Sequence, residues 1–213
     1  MNRRARTCTG DTPDRLHTAS RRGEGGMSLV IVLMILVVVS LLGISAAQIS
    51  TLAERASRND RDIQMAWEGA EAGLVDAEFD MRTVRQNIFG QAGLSPTDIS
   101  QFTLGCGTSG STLGLCQLPV AANGKPAWLA VDLSGSTATV GFGTQTNRQF
   151  PNGGGTGAQP YYDPKYLIEA IRDTGDGSRD RSASDPGYVF RVTSLGFGPS
   201  PSTQAVVQMI FRN

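Results

Sequence analysis

Histidine is almost missing from the 213-residue sequence: the one residue, His17, lies upstream of the only long apolar run. A chain that loses that leader has no imidazole, which excludes Ser-His-Asp, Cys-His and histidine–metal chemistry. Excess charge of either sign is missing too. Nineteen basic residues balance nineteen acidic ones, so the electrostatic footprint of a nucleic-acid binder is absent and no nucleic-acid partner is expected. Hydrophobic residues make up 39% of the chain and mean hydropathy is −0.15, which excludes a polytopic membrane protein. Three cysteines with no CxxC pair argue against a structural metal. The length allows one domain with an appendage or two small domains.

What is present is a single charge-free run, Met27 to Ala47 (MSLVIVLMILVVVSLLGISAA), 21 residues long. As a helix it measures about 31 Å, the thickness of a bilayer core. In lipid the backbone must satisfy its own hydrogen bonds, and helix is the one single-segment solution. Before it, residues 1–26 carry six arginines against Asp11, Asp14 and Glu24. The flanking charges nearly tie, with Arg15, Arg21 and Arg22 before the span and Arg55, Arg58 and Arg61 after it. An N-terminus inside is favoured because the C-terminal part reads as an exported domain.

Three fates of the leader compete. Ser45-Ala46-Ala47 supplies a small-residue site for secretory cleavage, but the apolar run is too long for a secretory h-region. A plain uncleaved anchor is the second. The third rests on Arg21-Arg22-Gly23-Glu24-Gly25-Gly26 directly before Met27-Ser28-Leu29-Val30, which resembles a prepilin leader. That resemblance implies a prepilin peptidase that cuts between Gly26 and Met27, followed by N-methylation of Met27. The pilin pattern then breaks at Ile31, where most pilins carry glutamate. In a pilin filament that carboxylate pairs with a neighbour's α-amine inside an apolar bundle, where a lone charge is costly. A subunit without it fits a filament end.

Beyond Leu52 the pattern becomes amphipathic. Ile63, Trp67, Ala70, Leu74, Ala77 and Met81 recur at spacings of four and three, with Asp60, Arg61, Asp62, Glu68, Glu71, Asp76, Glu78 and Asp80 between them as a solvated face. No proline interrupts residues 27–95, so one helix is predicted from Met27 to about Arg85, roughly 88 Å long. The stretches 54–62 (ERASRNDRD) and 66–78 (AWEGAEAGLVDAE) resemble the N-terminal signature of the PilX family of type IV pilus minor pilins. That family also lacks the usual glutamate, as Ile31 does here. Gly69 and Gly73 depart from the alanines expected there and each costs up to about 1 kcal/mol unless close packing compensates.

Past Gly90 the sequence reads as strands and loops. Residues 128–133 and 137–142 are predicted to form a hairpin, 166–171 a third strand, and 188–195 with 205–211 a final pair across Gly198-Pro199-Ser200-Pro201. Helix plus antiparallel sheet is an α+β layer architecture, the pilin-like fold that the resemblance implies. The expected organisation is a leader (1–26), a transmembrane or filament-core helix (27–47), an amphipathic helix (48–90) and a β-rich domain (91–213). With Cys8 lost in the leader, Cys106 and Cys116 remain, either as a disulfide in an oxidising compartment or as two reduced buried thiols.

Two patterns are discounted. Gly105-Cys106-Gly107-Thr108-Ser109-Gly110 satisfies GxGxxG, but no helix pattern follows. Gly124-Lys125 runs into proline, which spoils a P-loop. Asp173, Asp176 and Asp180 among glycines are candidate calcium ligands, although Arg179 and Arg181 oppose a cation and a solvated turn is the alternative. No other cofactor is expected.

The resemblance implies a non-enzymatic minor pilin held first in the inner membrane of a Gram-negative bacterium, its C-terminal domain in the periplasm. It would then prime assembly and sit at or near the pilus tip with other minor pilins, the major pilin and a PilY-type tip adhesin. The rivals are a minor pseudopilin of type II secretion and a membrane-anchored periplasmic binding protein.

Overall fold

The computed structural model describes residues 27–90, 99–117, 124–135, 137–150, 157–173 and 187–212. Helix α1 runs Met27–Phe79, free of proline throughout, as the sequence predicts. The chain divides into two compact units, Met1–Leu52 and Ala53–Asn213. In the first, every described residue is exposed.

In the second unit the helix continues to Phe79, widens through a π-helical turn at Asp80–Val84 and ends in the short α2 (Gln86–Phe89). Gly90 closes it with φ +88°, a conformation that glycine takes without a Cβ penalty. Five strands follow: β1 (Leu115–Gln117), β2 (Val140–Gly141), β3 (Lys165–Arg172), β4 (Tyr188–Phe197) and β5 (Gln204–Phe211). The three long ones form an antiparallel meander, with Ile168 opposite Val192 and Val192 opposite Met209. The far edge of β3 is shared by β1, which pairs parallel, and β2, which pairs antiparallel. The architecture is α+β, helix on sheet, and the parallel β1 makes the sheet mixed.

Pairing alternates the two faces. Tyr166, Ile168, Ala170, Phe190, Val192 and Phe211 face the helix and form one core with Ala77, Met81 and Phe89. Leu167, Leu195 and Phe197 lie on the other face, under Cys106, Cys116, Ala127, Leu133 and Ala138. Each such side chain, fully buried, stabilises by about 1.5–3 kcal/mol.

Two expectations are corrected. The hairpin predicted over 128–133 and 137–142 does not form. Ala127–Ala130 is a helical turn, α3, opened by Pro126 and held by Glu169, whose Oε1 accepts the Ala127 amide at 2.6 Å. The Asp132 carboxylate then takes the Ser134 amide and hydroxyl at 2.9 and 2.6 Å, a side-chain turn that replaces strand pairing. Those hydrogen bonds hold the Asp132 carboxyl below its usual range. The segment spends its apolar residues covering the sheet.

The second correction concerns the buried face of α1. Ile63 and Trp67 are exposed, and the face against the sheet is Ala66, Gly69, Ala70, Gly73, Asp76, Ala77, Asp80 and Met81. Small side chains permit close approach. A methyl group added at Gly196 would overlap the Ala66 carbonyl oxygen and the Ala70 amide nitrogen, and one at Gly73 would overlap Ser194 Oγ. Close packing therefore accounts for the glycine at Gly73, while Gly69 has no such need.

Two substitutions separate these effects. Gly69 has room for a methyl, 3.6 Å from the nearest atom, so Gly69→Ala is expected to stabilise by up to about 1 kcal/mol. Gly196→Ala is expected to destabilise by about 1–3 kcal/mol or more. Thermal unfolding of the full chain in detergent reads both, and equal effects would contradict the close approach.

Candidate functional site

The first feature that demands a function is the apolar half of α1. Met27 is 77% exposed and Ile31 54%, and no charged residue lies between Met27 and Ala47. So long an uncovered apolar surface exceeds what a water-soluble monomer shows. It is the one helix, among the described residues, long and apolar enough to cross a membrane. Two of its serines bond back within the helix: Ser40 Oγ donates to the Leu36 carbonyl at 2.7 Å and Ser45 Oγ to the Leu41 carbonyl at 2.9 Å. Helix α1 is described from Met27, and Ile31 lies one turn further on. Gly26 lies outside the described residues.

On the second unit, the outward side of α1 carries Ile63, Trp67, Val75 and Phe79, all about half exposed. Each lies four residues, or twice four, from the next, so they form one ridge. Trp67 Nε1 donates to Glu71 at 2.6 Å, which fixes the indole along it. The ridge ends in a groove of about 420 Å³ lined by Val75, Glu78, Phe79, Arg82, Thr83 and Arg148. Arg148 stacks over both Phe79 and Phe142, 5.7 and 5.4 Å from the ring centres.

Beneath this surface α1 is fastened by carboxylates that the sequence reading placed on a solvated face. Asp76 is fully buried: its Oδ2 accepts the Gly143 amide at 2.9 Å, and its Oδ1 the Thr146 hydroxyl at 2.6 Å and Arg148 Nη1 at 3.4 Å. Asp80, also fully buried, takes Arg85 Nε at 2.8 Å, Arg85 Nη2, and the Tyr166 hydroxyl at 2.8 Å. Arg85 Nη1 then donates to the carbonyls of Ser111 and Leu113 at 3.0 and 2.9 Å. The π-helical turn, in which the Arg85 amide bonds back to the Asp80 carbonyl, brings the two side chains together. Burial first, and the Asp80 charge second, push the Tyr166 phenol well above its ordinary range, so it stays a donor. The available signal was spacing: positions 76 and 80 continue the small-residue stripe 66, 69, 70, 73 and 77.

Cys106 and Cys116 are joined as a disulfide, Cα atoms 4.0 Å apart, which settles the choice between bridge and free thiols. The bridge closes the loop that offers its Ser111 and Leu113 carbonyls to Arg85. Asp173 lies 3.2 Å from Arg212, while Asp176 and Asp180 lie outside the described residues. Among the described residues no group of three metal-ligating side chains converges.

This geometry meets a family comparison. Residues 25–75 match the family described as PilX N-terminal, and residues 90–213 the one described as type IV pilus assembly protein PilX C-term. The chain belongs to the PilX family of type IV pilus assembly proteins. Comparison with curated proteins and with solved structures gives no match. In this PilX-family chain the first match takes in the exposed apolar helix and most of the ridge. The second takes in the disulfide loop and the whole sheet. The PilX family of pilus assembly proteins is structural rather than catalytic.

The Asp80–Arg85 pair makes a sharp test. Asp80→Ala leaves a guanidinium buried without its carboxylate and is expected to destabilise by about 3–5 kcal/mol. Adding Arg85→Met is expected to recover part of that loss, so the two changes are not additive. Denaturant unfolding in detergent measures both; a loss below about 1 kcal/mol, the size of an exposed pair, would contradict a dry ion pair.

Proposed function

We propose that the chain is a minor pilin that primes type IV pilus assembly and sits at or near the pilus tip. Prepilin peptidase cuts between Gly26 and Met27, the new Met27 amine is methylated, and residues 27–47 hold the subunit in the inner membrane with its C-terminal domain in the periplasm. On assembly the helix leaves lipid for packing against neighbouring helices, where close van der Waals contact replaces acyl chains. Other minor pilins and the major pilin supply those helices, and a PilY-type adhesin is the partner at the tip.

The observation that carries this reading is the uncharged, fully exposed helix Met27–Ala47 with isoleucine at position 31. Such a helix docks into an apolar bundle without placing an acid there. It offers no carboxylate to a neighbour's amine, which suits the position that has no neighbour on that side. The two family matches favour the pilus over a secretion pseudopilus.

Deletion of the gene, complemented with wild type or Ile31→Glu, tests the placement. Pili counted by electron microscopy are expected to fall on deletion and return with wild type, and immunogold against the chain is expected at one filament end. Ile31→Glu is expected to complement no better than wild type. Label along whole filaments, or more pili with Ile31→Glu than with wild type, would overturn the tip assignment.

A further inference from the structure

The helical turn α3 is tied to the sheet through a carboxylate with two claims on it. Glu169, fully buried, lies opposite Arg191 in the β3–β4 register. Its Oε2 accepts Arg191 Nε at 2.8 Å, and its Oε1 accepts the Ala127 amide at 2.6 Å. In a guanidinium, Nε and Nη2 form one side of a planar fork that fits both oxygens of a carboxylate. Arg85 uses that fork in full on Asp80. Arg191 uses half of it. Its Nη2 is buried and has no acceptor among the described residues, because α3 holds the oxygen that would complete the pair.

A second donor in the same turn is also idle. Trp128 follows Ala127, and its Nε1 is buried without an acceptor among the described residues. Buried donors left unpaired disfavour the arrangement that holds them. The turn is, moreover, lightly anchored. Its one fully buried side chain is the Ala127 methyl, Trp128 and the capping Val131 are partly buried, and Leu129 is 55% exposed. The Leu129, Ala130 and Val131 amides bond back to the Pro126 and Ala127 carbonyls and so travel with the turn. The chain beyond it is held separately, by Lys165 Nζ on the Ser134 carbonyl at 2.6 Å and by Leu133 in the core.

We infer that α3 is a flap with two states and that Glu169 Oε1 is the switch between them. In the closed state Oε1 holds the Ala127 amide. In the open state that amide passes to solvent, Oε1 turns onto Arg191 Nη2 to complete the fork, and Trp128 Nε1 reaches water. A hydrogen bond from a neutral amide is exchanged for one from a cation, the stronger kind, and both idle donors are paired. What keeps the flap shut is the apolar contact of Ala127, Trp128 and Val131 with the second core cluster. The open flap uncovers the part of that cluster beneath Ala127, beside a completed Glu169–Arg191 pair.

Native-state hydrogen exchange of the full chain in detergent reads the flap directly. The Ala127 amide is expected to exchange about a hundredfold faster than the Ile168 amide, which donates to the Gly114 carbonyl within the sheet. Trp128→Phe keeps a ring but removes the idle donor, and Arg191→Lys keeps the charge but removes the fork. Each takes away a gain made only on opening, so each is expected to slow Ala127 exchange several-fold relative to Ile168. Ala127 protected as well as Ile168 would overturn the flap. Exchange at Ala127 that both variants leave unchanged or speed up would also overturn it, as it would mean that the two donors already have acceptors in the closed state.

Discussion

At Gly196 the backbone of β4 lies so near α1 that a single methyl would overlap the Ala66 carbonyl and the Ala70 amide. That approach fixes the height of the helix above the sheet, and the neighbouring contacts follow from it. Gly198, two residues on, sits under the Asp62 carbonyl. In the other direction the gap opens enough for Phe190, Phe89 and Met81 to fill it. The helix is thus pinned where side chains are absent and cushioned where they are large.

Pinning one end leaves the other free to rotate, and polar contacts remove that freedom. Asp76 reaches the loop after β2, and Asp80 with Arg85 reaches β3 and the disulfide loop. Buried polar groups of this kind are costly unless every atom is matched, and here both carboxylates are. They convert an otherwise greasy contact into one with a single angle. The disulfide belongs to the same device, because the loop it closes supplies the carbonyls that satisfy Arg85.

Much of this was legible in the sequence, for identifiable reasons. The proline-free run gave the helix its length, and β-branched stretches at 165–172, 188–197 and 204–211 marked the three long strands. The misreadings share a cause: a residue's type does not say which surface it meets. Ile63 and Trp67 look like core at helical spacing yet lie outside, because the sheet comes too close for them. Asp76 and Asp80 look solvated yet lie inside, because Arg85, Tyr166 and backbone amides await them. Residues 128–133 and 137–142 read as a hairpin, but Glu169 takes the Ala127 amide just before them and Asp132 takes the Ser134 amide between them. Each outcome depends on partners far away in the chain, which local pattern does not contain.

The functional reading draws on both units. The apolar helix is the part proposed to move from lipid into the filament, and the close helix–sheet contact holds the second unit together. Its central claim is that the helix Met27–Ala47 is retained and begins at a processed end. Intact mass and N-terminal sequencing of the membrane-extracted protein, from cells with and without prepilin peptidase, test it most directly. A chain that starts at N-methylated Met27 only where the peptidase is present is the expected result. A chain that starts near Gln48, or at Met1 in both strains, would contradict it.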